Sequence, residues 1–336
     1  MSGTILERKI HTVVVGASAG GIEALRHFVA ALPADFPGVV LVVLHIAPLG
    51  TSVMPQILTR AGDLPACHPE DREELRPGHI YVAPPDRHLL VRPGHVHLSS
   101  GPKRNGHRPA IDLLFESAAA TYDGGTAGVV LSGVLDDGTA GLLAIRRRGG
   151  LVFVQDPEEA LYPMMPRSAI EYASPDLIAT AADLATALAA MAEAPPPQLS
   201  AKTGTTPVYV EVDRGASGTP QPGESSGLTC PECNGGMWEL VDEGVTRYRC
   251  RVGHEYSAES FLTNQSDRVE AALWTALRAL EERADVHRRM AERQHSRGLD
   301  SFGVKYEQRA EEAVGHAVTL RELIEEFARV DQEEVA

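Results

Sequence analysis

Residues 12–21 read Thr-Val-Val-Val-Gly-Ala-Ser-Ala-Gly-Gly and pass straight into helix-like sequence. An apolar β-branched run that halts in a glycine turn and resumes as a helix constrains the chain to a strand–turn–helix junction. Ser18 sits at the apex, Gly16 and Gly20 give Gly-x-Ser-x-Gly spacing, and Gly21 leaves room for close backbone approach. Such a junction can hold a serine hydroxyl exposed beside a base. It can equally serve as a plain connection, or bind a phosphate at the helix N-terminus.

The same alternation recurs to about residue 193. Apolar runs lie at Val13–Val15, Val39–Leu44, Ile80–Val82, Ala127–Leu131 and Leu151–Val154. Helically spaced stretches lie between them at Gly21–Leu32, Ser52–Ala61, Ala110–Tyr122 and Thr139–Arg148. Alternation of this kind predicts an α/β domain with a doubly wound, mostly parallel sheet over residues 1–193. The uninterrupted VVLVVL run fits a strand buried on both faces. His88–Leu98 reads as two short strands around Arg-Pro-Gly, a hairpin.

Beyond residue 193 the composition changes. Residues 194–227, with Pro195-Pro196-Pro197 followed by Thr, Ser and Gly, read as a flexible linker in which only Val208–Val212 suggests order. Residues 228–262 form a small cysteine/histidine unit. Residues 267–330 are rich in Ala, Leu, Glu and Arg. Leu273, Leu277, Leu280 and Ala284 share one helical face, and Ala310, Ala313, Ala317, Leu320, Ile324 and Phe327 share another. Gly298 and Gly303 break the pattern between them, so a helical hairpin is expected.

The 336 residues carry a net charge of −15, which argues against broad nucleic-acid or anionic-membrane binding. The longest apolar run is far shorter than the roughly 20 residues of a membrane span. The charged N-terminal MSGTILERKI lacks an apolar signal core, so neither membrane insertion nor export is expected and the location expected is cytoplasmic. Three of the four cysteines cluster late in the chain, unlike a disulfide framework.

In a parallel sheet, reactive groups gather beyond the C-terminal strand ends. The second strand runs into His45, and the strand at Val129–Leu131 runs into a loop bearing Asp136 and Asp137. Ser18, His45 and one of these aspartates would then share one edge: a nucleophile, a base and a group to orient the base. Spacing does not separate the two aspartates, and Asp136 can instead cap the helix near Gly138. The order Ser, His, Asp differs from the Ser, Asp/Glu, His order of the α/β-hydrolases.

At this point the sequence resembles the catalytic domain of the CheB-family chemotaxis-receptor methylesterases. The matching stretches are GASAGGIEAL (16–25), LHIAP (44–48), PGHIYVAPPDRH (77–88), GHRPAIDLLF (106–115), LSGVLDDGTAGLLAIRRRGG (131–150) and QDPEEALYPMMPRSAI (155–170). The resemblance implies hydrolysis of glutamate γ-methyl esters on chemoreceptor cytoplasmic helices, with release of methanol and, in some members, glutamine deamidation. It implies a catalytic Ser18, His45 and Asp137, and so selects Asp137. The Ala19 backbone N–H is the expected oxyanion donor. Arg87, His88 and Arg108 are candidates for the substrate groove, or else brace loops. Ala19 stands where the family commonly has threonine, and Val134-Leu135-Asp136 stands where it commonly has a Met-Gly-x run. Typical members also carry a phosphorylated receiver domain ahead of the esterase. Here the first strand begins near residue 12, so activity independent of phosphorylation of this chain is expected.

Cys230-Pro-Glu-Cys233 is followed, after sixteen residues, by Cys250-Arg-Val-Gly-His254. This is C-x₂-C…C-x₃-H, close to zinc-ribbon spacing, and a unit of about 35 residues needs a staple to fold. A structural zinc on Cys230, Cys233, Cys250 and His254 is therefore expected in this zinc-ribbon-like unit. Four protein ligands close such a site, so no catalysis is expected from it, and no cofactor is expected for the reaction at Ser18. Cys67 reads as a packing residue. Two functions compete. One is a methylesterase acting on methyl-accepting chemoreceptors or related signalling proteins. The other is a signalling scaffold whose zinc unit and helical hairpin dock partner proteins.

Overall fold

The computed structural model describes residues 9–46, 52–193, 223–242 and 244–335. The Val208–Val212 segment and residues 47 and 48 of the LHIAP stretch lie outside the described residues. The chain divides into two compact units, Met1–Phe261 and Leu262–Ala336.

The first unit is built on a seven-stranded sheet of β1 (Thr12–Ala17), β2 (Val39–Leu44), β3 (Ala66–Cys67), β4 (Ile80–Val82), β7 (Thr126–Val130), β8 (Leu151–Gln155) and β9 (Leu177–Ala179). Its order is β3-β4-β2-β1-β7-β8-β9. Every pairing in it is parallel. The excursion β5 (His88–Arg92) and β6 (His95–Ser99) forms the expected hairpin.

Side chains alternating along each strand enter two separate cores. Val13, Val15 and Ala17 of β1, with Val40, Val42 and Leu44 of β2, meet α1 (Gly21–Ala30), α2 (Met54–Ala61) and α6 (Ala181–Met191). Val14, Val39, Leu41 and Val43 point the other way, into α3 (Ile111–Tyr122), α4 (Thr139–Arg147) and α5 (Met164–Ala173). Two-sided burial explains why these strands read as continuous apolar runs. The short β3 and β9, with α5 and α6, were not resolved by periodicity. Alanine dominates α6, and β9 spans only three residues.

A second, antiparallel sheet in the same unit comprises β10 (Glu224–Thr229), β11 (Gly236–Asp242), β12 (Val245–Cys250) and β13 (Glu255–Ser257). β10 starts inside the segment read as linker to residue 227, because Glu224 and Ser225 pair with Glu239 and Trp238 of β11. The cysteine/histidine residues therefore belong to the same compact unit as the large sheet.

In the second unit, the rest of α7 (Ala258–His295) folds back on α8 (Asp300–Val335) as the expected helical hairpin. Leu277, Ala317 and Ile324 are buried between them, with Leu273, Leu280 and Leu320 packed alongside. Gly298 forms the turn at φ 72°. Gly303 breaks nothing. It lies inside α8, where an added Cβ would meet the His295 ring at 2.4 Å. No described helix is long and apolar enough to cross a membrane.

Candidate active site and candidate metal centre

β2 and β7 flank β1 in the sheet. The loops at the C-terminal ends of these three adjacent strands carry His45, Ser18 and the 131–138 segment. This is the edge where a doubly wound sheet gathers its ligands.

The β1–α1 turn is held from below. The Ser18 N–H donates to the Ser132 carbonyl (2.9 Å), and the Ser132 hydroxyl donates to the Ala19 carbonyl (2.8 Å). Gly20 adopts φ 69°, and a Cβ there would come within 2.6 Å of the Ser132 hydroxyl. A side chain at Gly133 would come within 2.9 Å of the Ser18 Cβ. The glycines thus let the serine turn sit directly on the β7–α4 loop. Among the described residues the Ala19 N–H has no protein acceptor.

The Ser18 hydroxyl lies 3.2 Å from His45 Nδ1, and His45 Nε2 lies 2.9 Å from Asp137 Oδ2. The ring presents Nδ1 to the serine and Nε2 to the aspartate, the reverse of the serine-protease arrangement. With Nε2–H donating to Asp137, Nδ1 is the acceptor that faces the Ser18 hydroxyl.

Asp137 is 2% exposed yet well supplied with donors. Oδ2 also accepts the Ile111 N–H (2.8 Å), and Oδ1 accepts from Asn105 Nδ2 (3.0 Å), the Asp112 N–H (3.2 Å) and its neighbour Gly138 N–H (3.1 Å). Burial by itself would raise this carboxyl, but the hydrogen bond and charge of His45, with His107 and the Ile111 N–H, hold it well below the usual range. The adjacent Asp112 moves the other way, raised by burial and by the Asp137 charge. It is Asp112, not Asp136, that receives the free N–H groups of α4, from Gly138 (3.0 Å) and Gly141 (2.7 Å). The Asp136 carboxylate instead accepts from the hydroxyls of Ser257 (2.8 Å) and Ser260 (3.1 Å). Burial pushes it up to about 6.

The groove candidates all make contacts to loops. His88 is fully buried, its Nδ1 accepting the Ala110 N–H (3.2 Å) and its Nε2 donating to the Pro102 carbonyl (3.0 Å). Burial lowers its pKa to about 4. It fastens loops and lines no groove. Arg108 clamps Asp86 (2.7 Å) and the Gly101 carbonyl (2.8 Å), and Arg87 reaches the Ser100 hydroxyl. Both guanidiniums thus contact the 86–108 loops. The residue against the site is His107, whose ring stacks on His45 at 3.7 Å between centroids and 13° between planes. Burial, then the neighbouring His45, lowers it to about 4.

The second cluster lies in the small sheet. Two knuckles are closed by Cys230 N–H to the Gly235 carbonyl (2.8 Å) and Cys250 N–H to the His254 carbonyl (2.9 Å), with Asn234 at φ 59° and Gly253 at φ 105°. One ligand atom each from Cys230, Cys233, Cys250 and His254 lies within 4.8 Å of the others. The Cys233 and Cys250 sulfurs lie 3.6 Å apart, and His254 Nδ1 lies 3.7 and 3.6 Å from the Cys230 and Cys250 sulfurs. A tetrahedral zinc with Zn–S near 2.3 Å requires ligand separations of roughly 3.5–3.8 Å, so the donor set fits the ion.

The seam between the two sheets is polar and buried. Arg104, at 8% exposure, bridges Glu116 (3.1 Å) and Glu255 (2.8 Å), and Arg247 bridges the same two carboxylates (3.5 and 3.0 Å). Arg249 completes the cluster on Glu255. Burial opposes the Glu255 charge, but the three guanidiniums outweigh it and lower this carboxyl to about 2.

Fold and site together define a doubly wound α/β domain that carries a serine–histidine–aspartate chain at its C-terminal edge. Residues 13–188, just over half the chain, match the CheB methylesterase family model, and the chain belongs to that family of carboxylic ester hydrolases. A Geobacter metallireducens protein-glutamate methylesterase/protein-glutamine glutaminase is 39% identical over 171 residues, which are 50% of this chain and 47% of that one. A Leptospira interrogans protein with the same pair of activities as a provisional name is 40% identical over 167 residues, which are 49% of this chain and 86% of that one. The crystal structure of the Thermotoga maritima CheB methylesterase catalytic domain aligns with a TM-score of 0.52 and 34% identity, over 54% of this chain and 98% of that one.

Proposed function

We propose that this chain is a protein-glutamate methylesterase, with glutamine deamidation as a second activity of the same site. The observation that carries the proposal is the unbroken hydrogen-bonded line from Ser18 through His45 to Asp137, 3.2 and 2.9 Å, at the edge of three adjacent strands. In this reading the Ser18 hydroxyl attacks the γ-carbonyl carbon of a methylated glutamate as its proton passes to His45 Nδ1. Asp137 keeps Nε2 protonated and stabilises the imidazolium that forms. The Ala19 N–H donates to the oxyanion. Collapse expels methanol, or ammonia from glutamine, with the proton returned by His45. Water then enters and attacks the acyl carbon as its proton passes to His45, which returns that proton to the Ser18 oxygen as the acyl bond breaks, leaving glutamate and free Ser18.

The substrates proposed are glutamates on the cytoplasmic helices of methyl-accepting chemoreceptors or related signalling proteins. The support is family membership and the activities that relatives carry in their names. A structural zinc on Cys230, Cys233, Cys250 and His254 is proposed on their spacing and knuckle geometry; it would hold the small sheet together and touch no reacting atom.

Methanol release from a methylated receptor by wild-type protein and by Ser18→Ala tests the proposal. Loss of the nucleophile should cost about 10⁴–10⁶ in kcat. Turnover by Ser18→Ala comparable to wild type would remove the proposal.

A further inference from the structure

We propose that Asn105 is a positioning residue for the reaction at Ser18, and that the metal-folded Cys/His unit holds it in place through β13. The inference rests on the Ser18–His45–Asp137 reading above.

Asn105 is 3% exposed and fully committed. Its amide nitrogen donates to Asp137 Oδ1 (3.0 Å) and Asp112 Oδ2 (3.1 Å). Its amide oxygen accepts the Ser257 N–H (3.0 Å), and its own backbone N–H donates to the Glu255 carbonyl (2.7 Å). One end of this side chain thus sits on the aspartate that orients His45, and the other end on β13. Only one amide orientation satisfies both, because a carboxylate cannot accept from an amide oxygen and an N–H cannot donate to an amide nitrogen.

The segment around Asn105 reaches the site a second time. Arg104 and His107 exchange backbone hydrogen bonds (3.2 and 2.9 Å), and His107 stacks on His45. A short stretch of chain therefore touches both the ring of the base and the carboxylate behind it. Asn105 holds φ 53°, a left-handed conformation that asparagine tolerates and that needs fixed neighbours to persist.

β13 is in turn set by the metal centre. Glu255 follows His254 directly, and the His254 carbonyl closes the second knuckle on Cys250. A further link joins the same strand to the loop of Asp137, since the Ser257 hydroxyl donates to Asp136. Loosening the knuckles would release the Glu255 carbonyl and the Ser257 N–H together. Asn105 would then lose both partners that aim its amide at Asp137.

The test uses the full chain with zinc bound, its zinc content measured by atomic spectroscopy, and p-nitrophenyl acetate and methylated receptor as substrates. Asn105→Ala should lower kcat about 10–100-fold with KM nearly unchanged, the size usual for an outer-shell partner. Chelation of wild-type protein should lower kcat by a similar factor, and zinc should restore it. Chelation of Asn105→Ala should add little, because both perturbations cut one path. The low-field proton resonance of the His45–Asp137 hydrogen bond should be present in zinc-loaded wild type and weakened in both perturbed forms. Multiplicative losses, or a chelated wild type that keeps its kcat and its resonance, would overturn the coupling. Should Asn105→Ala fail to fold, chelation and zinc restoration of wild type decide alone. Ser18→Ala separates the two readings: if it stays active the nucleophile assignment fails, and if it is inactive while the coupling arms are flat only this inference fails.

Discussion

The Asp137 carboxylate gathers donors from three chain segments, and the oxygen that takes the Ile111 N–H also accepts from His45. Replacing it by asparagine keeps the shape but puts an amide where the Nε2–H must donate, favouring the wrong tautomer. Asp137→Asn is expected to lower kcat about 10⁴-fold while the fold persists, read by steady-state kinetics beside circular dichroism. His88 gives a stability prediction. Folded His88 stays neutral down to about pH 4, because burial disfavours its charged form, whereas an unfolded imidazole protonates near 6.5. Its contribution is therefore fully present above about pH 6.5 and is lost as pH falls toward 4, a difference of about 3 kcal/mol. Urea titrations across that range should show the decline, and His88→Asn should flatten it. Leu135 holds φ 60°, a left-handed conformation that is strained for a leucine side chain. Leu135→Gly should stabilise the protein by about 1 kcal/mol through relief of that strain, measured by thermal or urea unfolding. Ser18, His45 and the aspartate pair were legible in the sequence because strand ends announce themselves. Asn105, Asp112 and His107 were not. Asn105-Gly106 reads as a turn, Asp112 reads as an ordinary helix-start acid, and nothing local signals a ring stacked on a residue 62 positions away.

Among the elements, strands buried on both faces were the most readable, since VVLVVL admits little else. The hairpin at 88–99 and the helical pair announced themselves through turn residues and apolar stripes. The three-residue β9 and β13 are too short to show a period in the sequence. Yet β13 matters most to the junction of the two sheets, where Glu255 meets three arginines. Removing one member of a buried ion cluster leaves uncompensated charge. Glu255→Gln, which keeps the shape, should destabilise the first unit by about 3 kcal/mol, seen as a lower urea midpoint. If the midpoint does not move, the seam adds no stability of its own. Why β10 begins at Glu224 was invisible in the sequence, because its partners on β11 supply the order that its own serines and glycine do not.

Across the whole molecule, one compact unit joins the esterase sheet to the cysteine/histidine sheet, and a second holds the helical hairpin. Sequence composition separates the small sheet from the large one, but composition cannot see that Lys103, Arg104 and Asn105 bond directly to residues 232–257. Family membership covers residues 13–188 and leaves the small sheet unaccounted for. In the proposed reading the chemistry sits at the first unit's strand edge, and the small sheet supports that edge. Ser18, driven by His45, is the group proposed to hydrolyse glutamate methyl esters. Methanol release from methylated chemoreceptor tests it most directly, with wild type, Ser18→Ala and His45→Ala compared under the same conditions. Wild type should release methanol, and both variants should lose about 10⁴-fold or more of that rate. Methanol release by Ser18→Ala at a rate close to wild type would contradict it.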